Sequence, residues 1–281
     1  MSCKFLEFIK LYSMLPIFLS EAPICTFVFC VIKLQGGYWA CFQVEDYAEK
    51  TKKTRCNRKI KSEYVILKLR NGIKIKLRTD STDLMAFTNV WLVEEYRKPG
   101  FEIRNSDVVI DIGAHIGLFA LYASQFCRSG KIYCFEPIKE NFDMLNSNIE
   151  LNHISNIIPI NAAVSKDNDK VTIYLNEDKA GHSMYVTGTK SVQVTSTSLQ
   201  TIFDSNHIEK CDFLKVDCEG EEYNIIDSLS NDHFERITKI SLEYHFADVN
   251  PYLLENLMRK LEPYYKMNTV PGLSGMGYLY A

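Results

Sequence analysis

The chain has 281 residues, enough for one large α/β domain with an accessory segment or for two small domains. Hydrophobic residues make up 46% of the composition and charged residues 24%, which excludes collagen-like, low-complexity and predominantly disordered chains. The formal net charge of -3 gives no global positive field for a nucleic-acid backbone, so a polyanionic partner would require a local basic patch.

The first 45 residues form an apolar leader that we predict to be helical. Residues 11–32 are apolar but are interrupted by Glu21 and two prolines, so no uninterrupted run reaches the ~20 residues that a helix needs to cross a bilayer. Three interpretations stay open: a true span or signal anchor, a helix at the membrane surface, and helices docked on the protein itself. Contact between residues 1–35 and a membrane surface is therefore one expected partner interaction.

A second segment, residues 46–100, is predicted to contain a basic loop, a β-hairpin and a helix. Seven of the twelve residues 50–61 are basic, which favours a solvated loop and leaves contact with phosphates or acidic headgroups as the alternative. Asn71-Gly72 lies between two β-rich runs and supplies the positive φ angles of a tight hairpin turn. Apolar residues at helical spacing predict a helix over residues 82–96.

The remainder, residues 101–281, alternates strands and helices. The predicted strands and helices follow one another at 108–112, 118–126, 131–135, 139–148, 157–164, 213–216, 222–229, 237–244 and 252–261, with a β-rich insertion at 170–175 and 192–196. This alternation predicts an α/β fold with a doubly wound, mostly parallel sheet and helices on both faces. Ligands of such sheets bind at the carboxyl ends of the strands, and the polar loop 181–190 is a candidate lid.

A glycine-containing turn follows the first strand of this region. The strand contains Asp111, the turn contains Gly113, and Gly117 begins the next helix, so the backbone can approach a ligand closely. Neither the Gly-x-Gly-x-x-Gly dinucleotide fingerprint nor a phosphate-binding loop is present. Asp111 would repel a pyrophosphate but suits the cationic amino and sulfonium groups of S-adenosylmethionine (SAM), so the pattern favours SAM over NAD.

The next two strands add further candidate cofactor contacts. Glu136 ends the second strand, where a carboxylate can accept hydrogen bonds from both hydroxyls of a ribose. After the third strand, Asn161 and Ala163 offer a polar group and a small side chain where an adenine would lie. We therefore expect Glu136, Asn161 and Ala163 to contact the nucleoside.

Three carboxylates and an imidazole follow two later strands. Asp217 and Glu219 are two residues apart, and so are Glu243 and His245, so each pair shares a face if the backbone stays extended. Neighbouring strands would bring all four to one edge, close to the SAM methyl group. His245 is the preferred general base, since a neutral imidazole can take the proton of an acceptor hydroxyl, and Asp217 is the second choice.

Two other roles for this cluster stay open. Asp217, Glu219, Glu243 and His245 could together hold Mg²⁺ or another divalent metal that lowers the pKa of the acceptor hydroxyl. Alternatively, Asp217 and Glu219 cap the helix that follows them, a role that we also expect for the neighbouring Glu222.

Four motifs, in this order, resemble the FkbM-type SAM-dependent methyltransferases of the class I fold. They are Asp111-Ile-Gly-Ala-His-Ile-Gly117, Phe135-Glu-Pro137, Lys215-Val-Asp-Cys-Glu-Gly-Glu-Glu222 and Glu243-Tyr-His245. The resemblance covers about residues 82–261 and implies a seven-stranded class I sheet. It also implies that Asp111, Gly113, Gly117 and Glu136 hold SAM. Ala114 and His115 belong to the same cofactor motif, and His115 stands where the family usually has Asn.

We therefore predict an O-methyltransferase that uses SAM to modify a hydroxyl of a sugar, glycan or other natural product. One alternative is a nucleic-acid methyltransferase that uses the basic residues 50–61. Against it, Asp217-Cys-Glu-Gly differs from the Asn/Asp-Pro-Pro-Tyr motif associated with methylation of base amino groups. The other alternative is a non-catalytic, membrane-associated SAM-binding module.

The nine cysteines are scattered without a Cys-x-x-Cys pair, which favours a reducing, cytoplasmic location over disulfides or a zinc site. The acceptor and the oligomeric state are not encoded in these motifs.

Overall fold

The chain forms two compact units, Met1–Ile73 and Lys74–Ala281, in a computed structural model. The structure describes residues 28–33, 39–45, 63–175, 183–185, 190–272 and 274–281. The segment boundary predicted at residue 100 therefore lies inside the second unit.

The described part of the first unit is built from antiparallel strands. β1 (Val28–Lys33) pairs with β2 (Trp39–Glu45), and β2 pairs with β3 (Tyr64–Lys68). The helical prediction for residues 1–45 is wrong for β1 and β2, because their β-branched and aromatic residues favour extended backbone. The rest of the predicted leader and the basic loop 50–61 lie outside the described residues.

The predicted turn at Gly72 is confirmed. The N–H of Leu69 donates a hydrogen bond to the carbonyl of Ile73 over 2.8 Å, and Gly72 has a φ of 90°. This positive φ is the conformation that only glycine adopts without strain.

The second unit begins with a strand and a helix of mixed geometry. β4 (Lys74–Arg78) leads into α1 (Asp83–Phe87), which continues as a π-helical segment (Thr88–Val93). The prediction of a helix over residues 82–96 is thus correct for its first three quarters. The helix ends where Glu94 takes up a left-handed conformation with a φ of 53°.

The described residues of this unit contain ten further strands and six further helices. The strands are β5 (Val108–Ile112), β6 (Lys131–Phe135), β7 (Ile157–Ile160), β8 (Ala163–Ser165), β9 (Lys170–Tyr174), β10 (Ser191–Ser198), β11 (Phe213–Val216), β12 (Ile240–Tyr244), β13 (Asn268–Pro271) and β14 (Gly277–Tyr280). The helices are α2 (Leu118–Ser124), α3 (Lys139–Leu151), α4 (Leu199–Ser205), α5 (Glu222–Asp227), α6 (Asn231–Arg236) and α7 (Pro251–Leu261). None of the helices in the described residues is long and apolar enough to cross a membrane.

A seven-stranded sheet forms the centre of the unit, in the order β13-β14-β12-β11-β5-β6-β7. The pairs from β12 to β7 are parallel, and β14 is antiparallel to both β12 and β13. The chain runs outward from β5 to β7, returns to β11 and then runs the other way. Because crossovers between parallel strands are right-handed, this reversal puts helices on both faces. The predicted doubly wound, mostly parallel sheet is confirmed.

The β-rich insertion forms a small separate sheet. β10 pairs in parallel with β8 and antiparallel with β9, which gives the order β8-β10-β9. The main core lies on the large sheet, whose central strands β5 and β11 are almost completely buried. The reversal of direction between β5 and β11 leaves a crevice at the carboxyl ends of these two strands, where open α/β sheets bind ligands.

Candidate functional site

A cavity of about 240 Å³ lies at the carboxyl ends of β5, β6, β11 and β12. The turn 113–115 after β5, the turn 136–138 after β6 and the turn 217–219 after β11 contribute to its wall. Glu243 of β12 and several residues of α1 and the π-helical segment also line it. The cavity therefore occupies the position that the sheet topology predicts for a ligand.

Lys215 and Asp111 form a buried ion pair at the wall of this cavity. They are register partners on the neighbouring strands β11 and β5, so their side chains lie on the same face of the sheet. Lys215 Nζ lies 3.1 Å from Asp111 Oδ1 and 3.6 Å from Asp217 Oδ2. Burial alone would lower the pKa of Lys215, but the two carboxylates raise it, so the ammonium group stays charged.

Asp111 does not line the cavity, contrary to the sequence-based expectation. It is fully buried, and among the described residues neither of its carboxylate oxygens accepts a hydrogen bond from a group other than Lys215. Burial raises its pKa, and Lys215 opposes that effect. The contact with a bound cation that the sequence predicted for Asp111 is therefore not available in this structure, because the side chain faces Lys215.

Two glycines allow the turn after β5 to pack closely. A Cβ atom at Gly113 would lie 1.7 Å from the carbonyl oxygen of Asp217, and one at Gly117 would lie 2.5 Å from Leu145 Cδ1. Both glycines also have a positive φ. The N–H groups of Gly113 and Ala114 donate to the carbonyl of Phe135, over 3.1 and 3.0 Å. Gly113 and Ala114 line the cavity with their backbone held in this way, whereas Gly117 packs behind it.

Glu136 lies at one end of the cavity, at the carboxyl end of β6. Its Oε2 accepts a hydrogen bond from the N–H of His115 over 2.8 Å, and its Oε1 accepts one from the N–H of Ile138 over 2.9 Å. Burial raises its pKa to about 7, and the two N–H donors oppose that rise. Asn141 Nδ2 also donates to Oε1, over 3.5 Å, so Oε2 is the oxygen that keeps a lone pair for a further donor such as a hydroxyl.

His115 connects this end of the cavity to a second buried ion pair. Arg78 donates to Asp83 through Nε over 3.0 Å and through Nη2 over 2.7 Å. Arg78 Nη2 also lies 3.0 Å from His115 Nε2, and Nη1 donates to Asn141 Oδ1 over 2.9 Å. Burial lowers the pKa of His115 to about 4, so the imidazole is neutral at physiological pH. We name this region, comprising Arg78, Asp83, His115 and Glu136, the arginine end.

The opposite end of the cavity is rich in carboxylates. Asp217, Glu219 and Glu243 line it, as the sequence predicted, and Glu95 joins them from the loop after the π-helical segment. Burial raises the pKa of Glu243 to about 9, and the charge of Asp217 adds to that effect. Burial likewise raises the pKa of Glu95 to about 7, although Tyr278 Oη donates to its Oε2 over 2.6 Å and opposes the rise. We name this region, together with His245, the acidic end.

His245 lies behind these carboxylates and is almost completely buried. Its Nδ1 lies 3.1 Å from Glu222 Oε1, and its Nε2 lies 3.6 Å from Glu219 Oε2. Burial alone would lower the pKa of His245, but Glu222 and then Glu219 raise it to about 10. These carboxylates favour the protonated imidazole, which cannot accept the proton of an acceptor hydroxyl. This environment therefore favours a cationic His245 over the general base predicted from the sequence.

Glu222 was interpreted from the sequence as a helix-start charge, but it holds His245. The same Oε1 atom accepts hydrogen bonds from both the backbone N–H of His245 over 2.8 Å and its Nδ1, while Oε2 accepts one from the N–H of Gly220 over 2.7 Å. Glu222 is fully buried. The orientation of the imidazole thus depends on this side chain.

The two predicted adenine contacts lie in different environments. Ala163 is buried and lines the cavity. The amide of Asn161 instead donates to the carbonyls of Glu136 and Pro137, over 2.8 and 3.1 Å, and the side chain does not line the cavity. Asn161 therefore stabilises the turn after β6, because its donor group is used by the backbone.

A metal ion could also be held at the acidic end. One ligand atom each of Asp217, Glu219 and His245 lies within 4.8 Å of the others. Carboxylates and imidazole are ligands of divalent transition metals, and carboxylates are ligands of Mg²⁺. His245 would have to lose its proton to serve as a ligand.

Of the candidate lid 181–190, only Ser183–Tyr185 and Lys190 belong to the described residues. Ser183 Oγ donates to the carbonyl of Glu219 over 2.6 Å, and Tyr185 Oη donates to Glu221. Met184, between them, lines the cavity. These three residues are thus anchored to the turn after β11.

Comparisons with known proteins agree with this architecture. Residues 111–263 match the family described as the methyltransferase FkbM domain. A 31-O-demethyl-FK506 methyltransferase, FkbM, of Streptomyces tacrolimicus is 21% identical over 215 residues, which cover 65% of this chain and 82% of the relative. The hexuronic acid methyltransferase AglP of Haloferax volcanii is 25% identical over 150 residues, which cover 53% of this chain and 60% of the relative.

A fungal relative and a solved structure extend the comparison. Methyltransferase 1 of Beauveria bassiana is 21% identical over 157 residues, which cover 48% of this chain. The chain spans 63% of the fungal relative and 60% of the archaeal one, less than two thirds of either. The crystal structure of methyltransferase FkbM from Methylobacillus flagellatus is 14% identical with a TM-score of 0.48, and the match covers 69% of this chain and 48% of that one.

Proposed function

This chain belongs to the family of FkbM methyltransferases, and from that premise we propose that it transfers a methyl group from SAM to a hydroxyl oxygen of a sugar or another natural product. The observation that carries the proposal is the arrangement of carboxylates around one cavity. Glu136 lies at one end, and Asp217, Glu219 and Glu243 lie at the other. A ribose hydroxyl of SAM can donate a hydrogen bond to Glu136. Its sulfonium cation, beyond the ribose, can be attracted by the carboxylates of the acidic end.

The charge balance of the acidic end supports a cationic ligand. Four carboxylates line it, and the raised pKa values of Glu95 and Glu243 reflect burial together with mutual repulsion. Glu243, with a pKa of about 9, is protonated near pH 7, and Lys215 and His245 offset part of the charge on the other carboxylates. A sulfonium group near Asp217 would lower the energy of the remaining negative charge. In the proposed complex Asp217, and not Asp111 as expected from the sequence, attracts the sulfonium cation.

The reaction requires a group that accepts the proton of the acceptor hydroxyl. SAM supplies the activated methyl group when it is bound. With SAM and the acceptor bound, a carboxylate of the acidic end would accept the proton that the acceptor hydroxyl loses when its oxygen is methylated. We assign this role to Asp217, which was the second choice for the general base in the sequence analysis. Glu95 is the second candidate, because a pKa of about 7 suits a base that works near neutral pH.

Calorimetric titration with SAM, S-adenosylhomocysteine and NAD tests the cofactor assignment. We expect both adenosyl compounds to bind and NAD to bind far more weakly. Glu136→Gln should weaken binding of SAM about tenfold, since one charge-assisted hydrogen bond contributes on the order of 1.5 kcal/mol. The exposed Glu150→Gln on α3 is the matched control and should bind like the wild type. Preferential binding of NAD would contradict the proposal.

The charge of the cavity also bears on the acceptor. A hexuronic acid, the acceptor class named for the archaeal relative, would bring a further carboxylate to a site that already contains four. We therefore propose a neutral hydroxylated acceptor. Methyl transfer measured on matched pairs of neutral and carboxylated glycosides should favour the neutral member of each pair. A consistent preference for the carboxylated member would contradict this assignment.

A divalent cation at Asp217, Glu219 and His245 is a second candidate for the acidic end. If it takes part, dialysis against EDTA abolishes methyl transfer and Mg²⁺ or Mn²⁺ restores it. An unchanged rate after dialysis removes this candidate.

We propose a cytoplasmic location, which suits the free thiols of Cys127, Cys134, Cys211 and Cys218. Nucleic acid is not the proposed partner. Salt-dependent RNA binding that disappears when residues 50–61 are neutralised would instead support the nucleic-acid alternative.

A further inference from the structure

His115 is the point at which the buried ion pair of the arginine end reaches the cavity wall. Its side chain is 16% exposed and lines the cavity, whereas those of Arg78 and Asp83 are 3% and 0% exposed. His115 has a φ of 51°, in the left-handed region that few residues with side chains adopt. Its backbone N–H donates to Glu136 Oε2, and both residues line the cavity.

The contact with Arg78 determines which nitrogen of the imidazole carries the proton. Arg78 Nη2 lies 3.0 Å from His115 Nε2, and a guanidinium can only donate hydrogen bonds. Nε2 must therefore be the unprotonated nitrogen that accepts. Asp83 Oδ1, which lies 3.4 Å from the same Nε2, already accepts from Arg78 over 2.7 Å. A neutral imidazole with an unprotonated Nε2 carries its proton on Nδ1.

The Nδ1–H group has no acceptor among the described residues and is not enclosed away from the cavity. The charged groups that face the ring from other elements are Arg78 of β4 and Asp83 of α1. At longer range they are Lys215 of β11 and Asp217, which follows that strand. Burial outweighs the attraction of Asp83 and keeps the ring neutral, so the group remains a single fixed donor.

We infer that His115 is a tautomer-locked hydrogen-bond donor that, beside Glu136, recognises one hydroxyl of the ribose of a bound adenosyl compound. A hydroxyl both donates and accepts, so it can donate a hydrogen bond to Glu136 while its oxygen accepts one from His115 Nδ1–H. Arg78 and Asp83 are positioning residues that act through the imidazole. This inference rests on the proposed function, since it assumes that the cavity binds an adenosyl compound.

The first experiment reads the tautomer by ¹⁵N NMR of the histidine side chains of the whole chain, with His115 assigned by the signal that disappears in His115→Asn. We expect a protonated Nδ1 and an unprotonated Nε2 from about pH 6 to 8. A protonated Nε2, or an imidazolium at neutral pH, would overturn the inference whether or not SAM binds.

The second experiment tests whether the His115 side chain recognises one hydroxyl of the ribose. Binding of S-adenosylhomocysteine is compared with binding of its 2′-deoxy and 3′-deoxy analogues. For the wild type, one deoxy analogue should bind about tenfold more weakly, in line with one lost hydrogen bond. His115→Gly, which tolerates the left-handed φ, should lose this discrimination. His115→Asn should retain most of it, because its amide nitrogen is as many bonds from the backbone as Nδ1.

The controls separate this inference from the proposed function. The exposed His153 also has a left-handed φ, of 53°, so His153→Gly matches the backbone change without touching the cavity and should discriminate like the wild type. If the wild type binds no adenosyl compound, the proposed function fails and the ribose contact fails with it, while the NMR result still reports on the tautomer. If the wild type binds but His115→Gly discriminates equally well, only this inference is overturned.

Discussion

The two ends of the cavity hold their histidines in opposite protonation states. At the arginine end, burial lowers the pKa of His115 to about 4, so the ring is neutral. At the acidic end, carboxylates outweigh burial and raise the pKa of His245 to about 10, so the ring is charged. Both side chains are largely enclosed, so burial by itself does not decide the state of either ring.

The difference lies in how many neighbouring charges are already neutralised. Asp83 is paired with Arg78 through two hydrogen bonds, which leaves His115 beside a carboxylate and a cation whose charges cancel. His245 instead lies near Glu222 and Glu219, and the charges of both carboxylates favour its protonated form. A buried histidine is therefore a base or a cation according to the net charge of its shell.

The largest expected effect comes from Lys215, the buried cation between Asp111 and Asp217. Lys215→Met leaves Asp111 as an uncompensated buried charge, so we expect a loss of about 3–5 kcal/mol in the free energy of unfolding. Urea denaturation measures this loss. The control is Lys210→Met, since the side chain of Lys210 is 62% exposed and its ion pair with Asp212 should contribute less than about 1 kcal/mol.

A companion variant tests the cause of this loss. Adding Asp111→Asn to Lys215→Met removes the stranded charge and should recover part of the stability. If the double variant is no more stable than Lys215→Met, the charge of Asp111 is not what the lysine compensates.

The second effect concerns the charged imidazole of His245. Its pKa is raised on folding from 6.5 to about 10, so the folded state binds this proton more tightly than the unfolded state does. The resulting stability is fully present below about pH 6.5 and is lost as the pH rises toward about 10. We expect the wild type to lose about 2–4 kcal/mol more than His245→Gln between these pH values, as measured by urea denaturation. An equal loss in both proteins would show that His245 is not held as a cation.

The sequence predicted the sheet because strand and helix patterns alternate over long stretches from Val108 onward. It missed α4 and α6, because six or seven residues contain too few turns for a helical period to be recognised. It also missed β13 and β14, whose residues are largely polar or aromatic in a short hairpin. Within residues 1–45 the apolar pattern predicts helix, but the described segments 28–33 and 39–45 form strands, which suits their β-branched and aromatic residues.

The candidate site divides in a similar way. Spacing by two residues and the order of the strands placed Asp217, Glu219, Glu243 and His245 together, and the structure brings them to one end of the cavity. The charge state of His245 could not be predicted, because it depends on Glu222, which comes from a helix in a different layer. Lys215 carried a signal, since it is two residues before Asp217 on a buried strand. The sequence contained no signal for Arg78 or Glu95, because charged side chains are usually exposed and no local pattern shows that these two are buried.

A third, smaller effect should appear at acidic pH because of His115. Its pKa is lowered on folding from 6.5 to about 4, so the unfolded state binds the proton more tightly in that window. The stability is fully present above about pH 6.5 and is lost as the pH falls toward about 4. We expect the wild type to lose about 1–3 kcal/mol more than His115→Asn in this range, as measured by urea denaturation. Loss on the alkaline side instead would contradict the neutral imidazole, and with it the contrast between the two ends.

The smallest effect tests whether the acidic end is tuned by individual donors. Tyr278 Oη donates to Glu95 Oε2 over 2.6 Å, whereas Tyr280 Oη donates to the backbone carbonyl of Glu95 over 2.7 Å. Because the first bond lowers the pKa of Glu95, Tyr278→Phe should raise that pKa above about 7 by roughly 0.5–1 unit, as read by ¹³C NMR of labelled glutamate carboxyls.

Tyr280→Phe is the matched control. It removes a hydroxyl that donates to the backbone of Glu95 and not to its carboxylate, so the titration of Glu95 should stay unchanged. Equal shifts in both variants would mean that packing around Glu95, rather than the hydrogen bond to its carboxylate, sets its pKa. If Glu95 is the proton acceptor, the pH at which the rate of methyl transfer rises to half its maximum should increase by the same amount in Tyr278→Phe and stay unchanged in Tyr280→Phe.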